Sequence, residues 1–354
     1  GIAQSSRDLF CALTEKIPSL QITILPRLAK DKIQEIPSGI RQKSPSRNRM
    51  LYILRALWTL WRDGPFDVIF CGHLFMAPLA FIFSRCVKLP CWFHLYGIEA
   101  WEKPSRLVCW SVERASLVTV ISRYTRRKFL SWANLTPERV RILPVTVSEN
   151  FMPGPKPEYL LNRFGLREKK ILLTVGRLSS QERYKGHDRM IDLMLMLREK
   201  YSDLVYVIAG EGDDRERLEQ KTRERGLMGV VRFVGYVNHS ELPDLYRMAD
   251  YFVMPSRGEG FGIVFLEAMA CGIPAIGLNV DGSSDPLQDG LLGYMLNDSE
   301  FDNELNQILK NFKRPDAGLS ERVHLFFGGK ACSAHVKKVF RSLFKDNQVS
   351  KGVL

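Results

Sequence analysis

Short apolar runs alternate with amphipathic stretches along the chain, in a strand-then-helix rhythm. Ile2–Ile17 carries Ile2, Leu9, Phe10 and Leu13 on one side of a predicted helix that Pro18 ends, and Gln21–Leu25 follows as a strand. Lys30–Arg49 is polar, basic and broken by Pro37, Gly39 and Pro45, which predicts a mobile loop. Arg49–Trp61 is the next helix, with Leu51, Ile53, Leu54, Leu57, Trp58 and Trp61 as apolar positions. Its indoles beside Arg55 and Arg62 suit either a bilayer interface or packing on a sheet. Asp67–Cys71, Pro90–Leu95 and Ala115–Ser122 read as strands; Ala77–Phe83 and the stretch opening at Arg123–Phe129 read as helices. Phe151–Pro157 contains three prolines and predicts a stiff linker.

Beyond the linker, strands are predicted at Lys170–Val175, Leu204–Ala209, Val231–Val237, Tyr251–Met254 and Ala275–Leu278. Helices are predicted at His187–Lys200, Asp214–Arg225, from Asn238 to Tyr246 onward, and at Ile263–Ala270; Arg322–Phe344 is a last amphipathic stretch. The repeated βαβα order predicts an α/β protein with two Rossmann-like domains facing across a cleft, at residues 1–150 and 151–329. There is no internal repeat, no G-x-G-x-x-G and no P-loop Lys-Ser/Thr.

One stretch, Met254–Pro274, concentrates the candidate chemistry. An apolar strand runs into Pro255–Gly262, with three glycines, and then into a short helix stopped by Gly272 and Pro274. Unpaired backbone N–H groups at a helix start suit an anion, and Gly258, Gly260 and Gly262 allow close approach to the backbone. Glu259 and Glu267 bracket that cradle. Carboxylates repel phosphate but accept hydrogen bonds from sugar hydroxyls, so the combination suits a nucleotide sugar. Alone, the two acids also fit a solvated helix start, where the macrodipole favours them.

Charge sharpens the division into halves. The net charge is +12, and residues 1–150 hold 22 Lys and Arg against 11 Asp and Glu, or +11. The remainder holds 29 against 28, or +1. The N-terminal half therefore faces a phospholipid surface, a lipid-phosphate acceptor or nucleic acid, or is a basic surface kept for solubility. The seven cysteines are scattered without C-x-x-C spacing and read as reduced core residues of a cytosolic protein. No apolar run reaches membrane-spanning length; Val68–Phe83 is interrupted by His73 and Pro78.

Glu259-Gly-Phe-Gly-Ile-Val-Phe-Leu-Glu267, followed by Ala-Met-Ala-Cys-Gly-Ile-Pro, resembles the E-x7-E motif of glycosyltransferase family 4, retaining enzymes of the GT-B fold. The resemblance extends to Gly176–Gly186, whose Arg177 and Lys185 match the family's diphosphate-binding cations, and to Gly235, Tyr236 and Val237, where the family meets the nucleobase. His94-Leu-Tyr-Gly-Ile-Glu-Ala-Trp101 resembles the family's H-G-x-E/D-x-W segment, but the histidine position falls on Tyr96, with His94 two residues earlier. Arg141–Val147 is similar to the strand leaving the N-domain, and Asp289–Tyr294 to a small hairpin. Asn279–Pro286 replaces the family's usual glycine-acid loop. Gly1 resembles the end of the family's Gly-Gly loop, so the first strand is expected to be missing, and a helix at about 330–346 is expected to cross back to the N-domain.

The resemblance implies a retaining hexosyltransferase that uses a UDP- or GDP-linked sugar and a saccharide or lipid-linked acceptor in polysaccharide or glycolipid synthesis. Glu259 would hold the sugar, Glu267 the ribose, and Arg177, Lys185, Gly260, Phe261 and Gly262 the diphosphate, with Tyr96 or His94 on the donor sugar. No metal or other cofactor and no nucleic acid are expected. The location implied is cytoplasmic, with peripheral contact on the inner face of a membrane. The residues leave open a sugar-nucleotide epimerase or a phosphorylase-like enzyme on the same fold, or a non-enzymatic basic binding protein.

Overall fold

The computed structural model describes residues 2–27, 39–312 and 318–349. The chain forms two compact units. One runs to Thr146 and resumes at Lys330; the other is Val147–Gly329.

The N-terminal unit contains, in order, α1 (Ile2–Lys16), β1 (Ile22–Ile24), β2 (Ile40–Gln42), α2 (Arg49–Arg62), β3 (Ile69–Cys71), α3 (Ala77–Val87), β4 (Cys91–Leu95), α4 (Arg106–Glu113), β5 (Leu117–Val120), α5 (Arg123–Leu130) and β6 (Val140–Ile142). Strands β3-β4-β5-β6 form a parallel sheet in that order, while β1 and β2 pair separately, also parallel, with Ile22 opposite Ile40. Both faces of the larger sheet are covered, which is why its strands read as unbroken apolar runs. Phe93, Leu95, Val118 and Val120 face a core shared with Val108, Val112 and Phe129. Trp92 and Leu117 turn the other way, onto Leu9, Phe10 and Leu13 of α1 and onto Val336, Val339 and Leu343 of the C-terminal helix.

The second unit contains α6 (Glu158–Phe164), β7 (Lys170–Val175), α7 (His187–Lys200), β8 (Leu204–Ala209), α8 (Arg215–Glu224), β9 (Val231–Gly235), α9 (Leu242–Met248), β10 (Tyr251–Val253), α10 (Ile263–Ala270), β11 (Ala275–Leu278), β12 (Tyr294–Leu296), α11 (Phe301–Lys310) and α12 (Leu319–Phe327). The chain then passes into α13 (Gly329–Val349). The six strands are all parallel in the order β12-β11-β10-β7-β8-β9. The order reverses between β7 and β10, which are direct neighbours with Leu172 opposite Tyr251. In open α/β sheets ligands bind outside the carboxyl ends of strands at such a reversal.

Several expectations need correction. The polar stretch expected to be a loop contains β2, a three-residue strand recruited by pairing with β1; residues 28–38 lie outside the described residues. The expected hairpin at Asp289–Tyr294 is a turn leading into β12, which runs parallel to β11. The stretch Arg322–Phe344 is two helices broken at Gly328, where a side chain would meet the backbone oxygen of His324 at 2.4 Å. Most of the apolar positions named for α2 face away from the fold: Trp61 is 82% and Leu54 59% exposed, while Ile53 is half-buried. Cys86 is exposed rather than in the core. Helix α4 has no counterpart in the sequence reading. Among the described residues no helix is long and apolar enough to cross a membrane.

The core beneath the strand reversal is aromatic. Phe252 is fully buried, with its ring edge-on to Phe265 at 5.2 Å and to Tyr246 at 6.0 Å. Phe252→Ala is expected to cost about 3–5 kcal/mol, seen as a lower denaturant midpoint for the C-terminal unit with an unchanged slope.

Candidate functional site

The loops that follow β7 and β10 carry most of the predicted site. After β7, the chain turns through Gly176–Gly186, with a 3₁₀ segment at Ser180–Lys185. Arg177 and Lys185 come together here on one acid, Glu182: Lys185 Nζ lies 2.8 Å from its carboxylate, and the Arg177 guanidinium donates to the other oxygen. Burial alone would raise the Glu182 pKa, but the hydrogen bonds from Lys185 and Arg177 outweigh it and hold it below the usual carboxylate range. The two cations expected to carry a diphosphate thus already hold an anion supplied by their own loop.

After β10, Pro255–Gly262 leads into α10. Gly262 is the residue preceding the helix, at φ 85°. A side chain there would be strained, and its Cβ would also press on the Phe265 ring. Asp281 fixes the loop from below. This buried carboxylate accepts from the Glu259 backbone N–H at 2.7 Å, from the Ser283 N–H at 3.0 Å and from the Ser283 hydroxyl at 2.7 Å. The Gly282 N–H donates back to the Glu259 carbonyl at 2.8 Å. A Cβ on Gly282 would stand 2.3 Å from the Gly260 oxygen, so this contact requires glycine. The three glycines expected to admit a ligand therefore also serve packing within the protein: the Tyr184 ring rests on Gly258.

The two glutamates occupy different environments. Glu259 is half-buried, and desolvation pushes its pKa up to about 7; Lys185 opposes the rise, and Asp281 and Glu182 add to it. Burial and the Glu259 charge also raise the neighbouring Tyr184 phenol. Glu267 sits on α10, buried, and accepts from the Tyr246 hydroxyl at 2.7 Å. Burial and that carboxylate push the Tyr246 phenol well above its ordinary value, so it remains a proton donor and fixes one Glu267 oxygen.

At the end of β9, Gly235 takes φ 76°, and its carbonyl accepts from the Gly210 N–H at 2.8 Å. Tyr236 is 70% exposed and Val237 half-buried. In the N-terminal unit, His94 is buried, with Nδ1 2.8 Å from the Thr119 hydroxyl, which also accepts from Trp92 Nε1 at 2.7 Å. Burial lowers the His94 pKa to about 3, so it is neutral at physiological pH. Tyr96 stacks edge-on against His94 at 4.5 Å, and its hydroxyl shares a 2.6 Å hydrogen bond with Ser6 of α1. Its backbone N–H donates to Glu99, which closes the turn. Gly1 lies outside the described residues. In the charge run Arg126–Lys128, Arg126 is not merely solvated, because it donates to the Val140 carbonyl at 2.9 Å.

The sequence reading missed Glu182, Asp281, Tyr184 and Tyr246. Glu182 stands three residues before Lys185, and Asp281-Gly-Ser283 is a sequence in which an Asp side chain caps its own turn. Both signals were present in the chain. The Tyr246–Glu267 bond joins two helices and left no local trace.

Two family models match the chain: "Glycosyltransferase Family 4" over residues 16–150 and "Glycosyl transferases group 1" over residues 162–319. A GDP-mannose-dependent alpha-(1-6)-phosphatidylinositol monomannoside mannosyltransferase of Mycolicibacterium smegmatis is 31% identical over 196 residues, 53% of this chain and 50% of the relative. The chain spans about half the length of the first curated relatives it matches. Among solved structures, Anabaena HepE in complex with UDP aligns at TM-score 0.73 and 20% identity, over 87% of this chain and 86% of that one. Sucrose-phosphate synthase from Thermosynechococcus elongatus aligns at TM-score 0.75 and 19% identity, over 94% and 92%.

The raised pKa of Glu259 has a signed consequence. Between 4.5 and about 7 the folded protein holds a proton that the unfolded chain releases, so this residue makes stability fall as pH rises through that window and level off above it. Thermal unfolding of wild type and Glu259→Gln at stepped pH is expected to show wild type losing stability relative to the variant as pH rises from 4.5 to about 7, the contributions of other groups cancelling in the difference.

Proposed function

The chain belongs to glycosyltransferase family 4 and has the GT-B fold, and on that premise we propose that it moves a hexose from a UDP- or GDP-linked sugar to a saccharide or lipid-linked acceptor, with retention at the anomeric carbon. One observation carries the reading. The loops holding Arg177, Lys185 and Glu259, and the start of α10, leave adjacent strands where the strand order reverses. That is where an α/β sheet offers a nucleotide its binding crevice.

In this reading the bond from the anomeric carbon to the diphosphate oxygen breaks, and its electron pair leaves with the nucleoside diphosphate. Arg177 and Lys185 meet that charge, with the backbone N–H groups near Phe261 and Gly262. The acceptor hydroxyl oxygen bonds the anomeric carbon on the same face, and its proton passes to the departing phosphate oxygen. No carboxylate nucleophile is required. The protein's own cations do the electrostatic work, so the reading calls for no metal. Glu259 accepts from the hexose hydroxyls, and Glu267, oriented by Tyr246, accepts from the ribose. Gly235–Val237 receive the nucleobase. The reading is supported by the names of the relatives: one names GDP-mannose and a lipid acceptor, and a structural neighbour was solved with UDP.

Calorimetric titration with UDP- and GDP-linked hexoses tests the reading directly. One nucleotide series is expected to bind, with Glu267→Ala weakening it about tenfold or more. Tyr246→Phe should weaken binding less, because the carboxylate remains. Glu182→Gln removes the resident charge and is expected to tighten nucleoside-diphosphate binding about threefold to tenfold. Folded protein that binds no nucleotide sugar would overturn the reading.

A further inference from the structure

The loop after β10 is tethered by a segment 22 residues downstream. Two consecutive residues there take both main-chain polar groups of Glu259. The Asp281 carboxylate accepts from its N–H at 2.7 Å, and the Gly282 N–H donates to its carbonyl at 2.8 Å. With both groups engaged, the peptide planes on either side of Glu259 are fixed, and with them the direction in which its side chain leaves the backbone. A second tether comes from the loop after β7. The Tyr184 carbonyl accepts from the Arg257 N–H at 2.9 Å, and the Tyr184 ring leaves no room for a Cβ on Gly258.

Shape alone does not call for an acid at position 281. A neutral acceptor such as Asn would satisfy the Glu259 N–H, yet the chain buries a carboxylate here, 1% exposed, close to a second carboxylate. A buried charge is costly unless it is hydrogen-bonded. Asp281 has partners on both oxygens: the Glu259 N–H on one, and the Ser283 N–H and hydroxyl on the other. The Ser256 side chain adds a further hydrogen bond. Lys185, Glu182 and Tyr184 face Glu259 from the loop after β7, and Asp281 faces it from the loop after β11. Local choices that work against stability gather at functional sites. Asp281 also lies within Asn279–Pro286, where the chain departs from the family pattern, so the clamp belongs to this chain and is not carried over from the resemblance.

We propose that Asp281 is a positioning residue for the hexose: with the Gly282 N–H it clamps the Glu259 peptide so that the Glu259 side chain meets the sugar hydroxyls. The inference rests on the donor chemistry proposed above and names the residue that delivers Glu259 to the sugar. In that chemistry Arg177, Lys185 and the start of α10 meet the diphosphate, so loss of the clamp reaches the sugar and spares the nucleotide. The Asp281 charge has a second effect. It favours the protonated form of Glu259, which offers hydroxyl groups less acceptor capacity than the carboxylate. The sugar contact therefore strengthens as pH rises through neutrality, and removing the charge at 281 brings that strengthening to lower pH.

Calorimetric titration of the whole chain with UDP, UDP-glucose, UDP-galactose, GDP and GDP-mannose separates the two contributions. The ratio of the nucleoside-diphosphate dissociation constant to that of the tightest nucleotide hexose isolates the sugar. At about pH 8, Asp281→Ala is expected to cut this ratio about fivefold to tenfold, with nucleoside-diphosphate affinity unchanged within about twofold. Asp281→Asn keeps the shape and an acceptor for the Glu259 N–H. It should hold the ratio at about pH 8 and retain more of it than wild type at about pH 6. Equal losses for nucleotide and nucleotide hexose would make Asp281 a purely structural residue. An unchanged ratio in Asp281→Ala, or a wild type that gains nothing from the sugar, would likewise overturn the inference. A folded protein that binds no nucleotide would sink the donor reading instead, and the action of Asp281 on Glu259 is then read from folding. The stability difference between wild type and Glu259→Gln should level off at a pH lower by about 0.5 in the Asp281→Asn background, and no displacement would count against the clamp.

Discussion

The reversal of strand order between β7 and β10 is the constraint on which the site depends. Ile171, Leu172 and Leu173 are fully solvent-excluded, as are Tyr251, Phe252 and Val253 beside them, so neither strand can shift register without exchanging side chains between two packed faces and disrupting the core on each. Asp250 adds a polar lock at the start of the pair. Its backbone N–H donates to the Ile171 carbonyl at 2.9 Å, and its carboxylate accepts from the Ile171 N–H at 2.8 Å and from Lys156 at 2.7 Å. With the strands fixed, both loops must emerge side by side from their carboxyl ends. The cations of one and the glutamate of the other then fall within electrostatic reach, as the influence of Lys185 on Glu259 shows.

The two units treat their charge differently. In the second unit, cations are largely matched inside the fold: Arg217 grips Asp188 and Asp214, and Lys221 reaches Asp188 and Asp192. Those contacts bring the Asp188 pKa down to about 2, with the Arg217 hydrogen bonds as the leading cause. These contacts form a network clipping α7 to α8. The first half carries its excess on exposed segments such as the approach to α2.

Much of the second unit was legible because its strands are buried on both faces and its helices carry clear stop signals. Lys170–Val175, Leu204–Ala209, Ile263–Ala270 and Ala275–Leu278 emerge with the ends read from the chain. Strands β2 and β12 were not legible, since three residues carry no periodicity and exist by pairing with a neighbour. Nor could the pattern along α2 say which side faced in: a stripe of Leu and Trp reads the same whether a sheet or a solvent lies against it. The candidate site divides similarly. Its cations and glutamates followed from spacing within loops, whereas Tyr246 on Glu267 and Asp281 beneath Glu259 are bonds between distant segments.

On the proposed reading, the carboxylate clasped by Arg177 and Lys185 would make their loop an ion exchanger rather than an empty cradle. An arriving anion must displace a tethered one, so its gain is the difference between two sets of charge-assisted bonds, not the sum of one. A singly charged ion replaces like with like and also loses its freedom of translation. A group carrying more negative charge comes out ahead. Such a loop would sort ions by valence before shape matters, with the intramolecular acid as a place-holder that shields the cations from abundant monovalent anions.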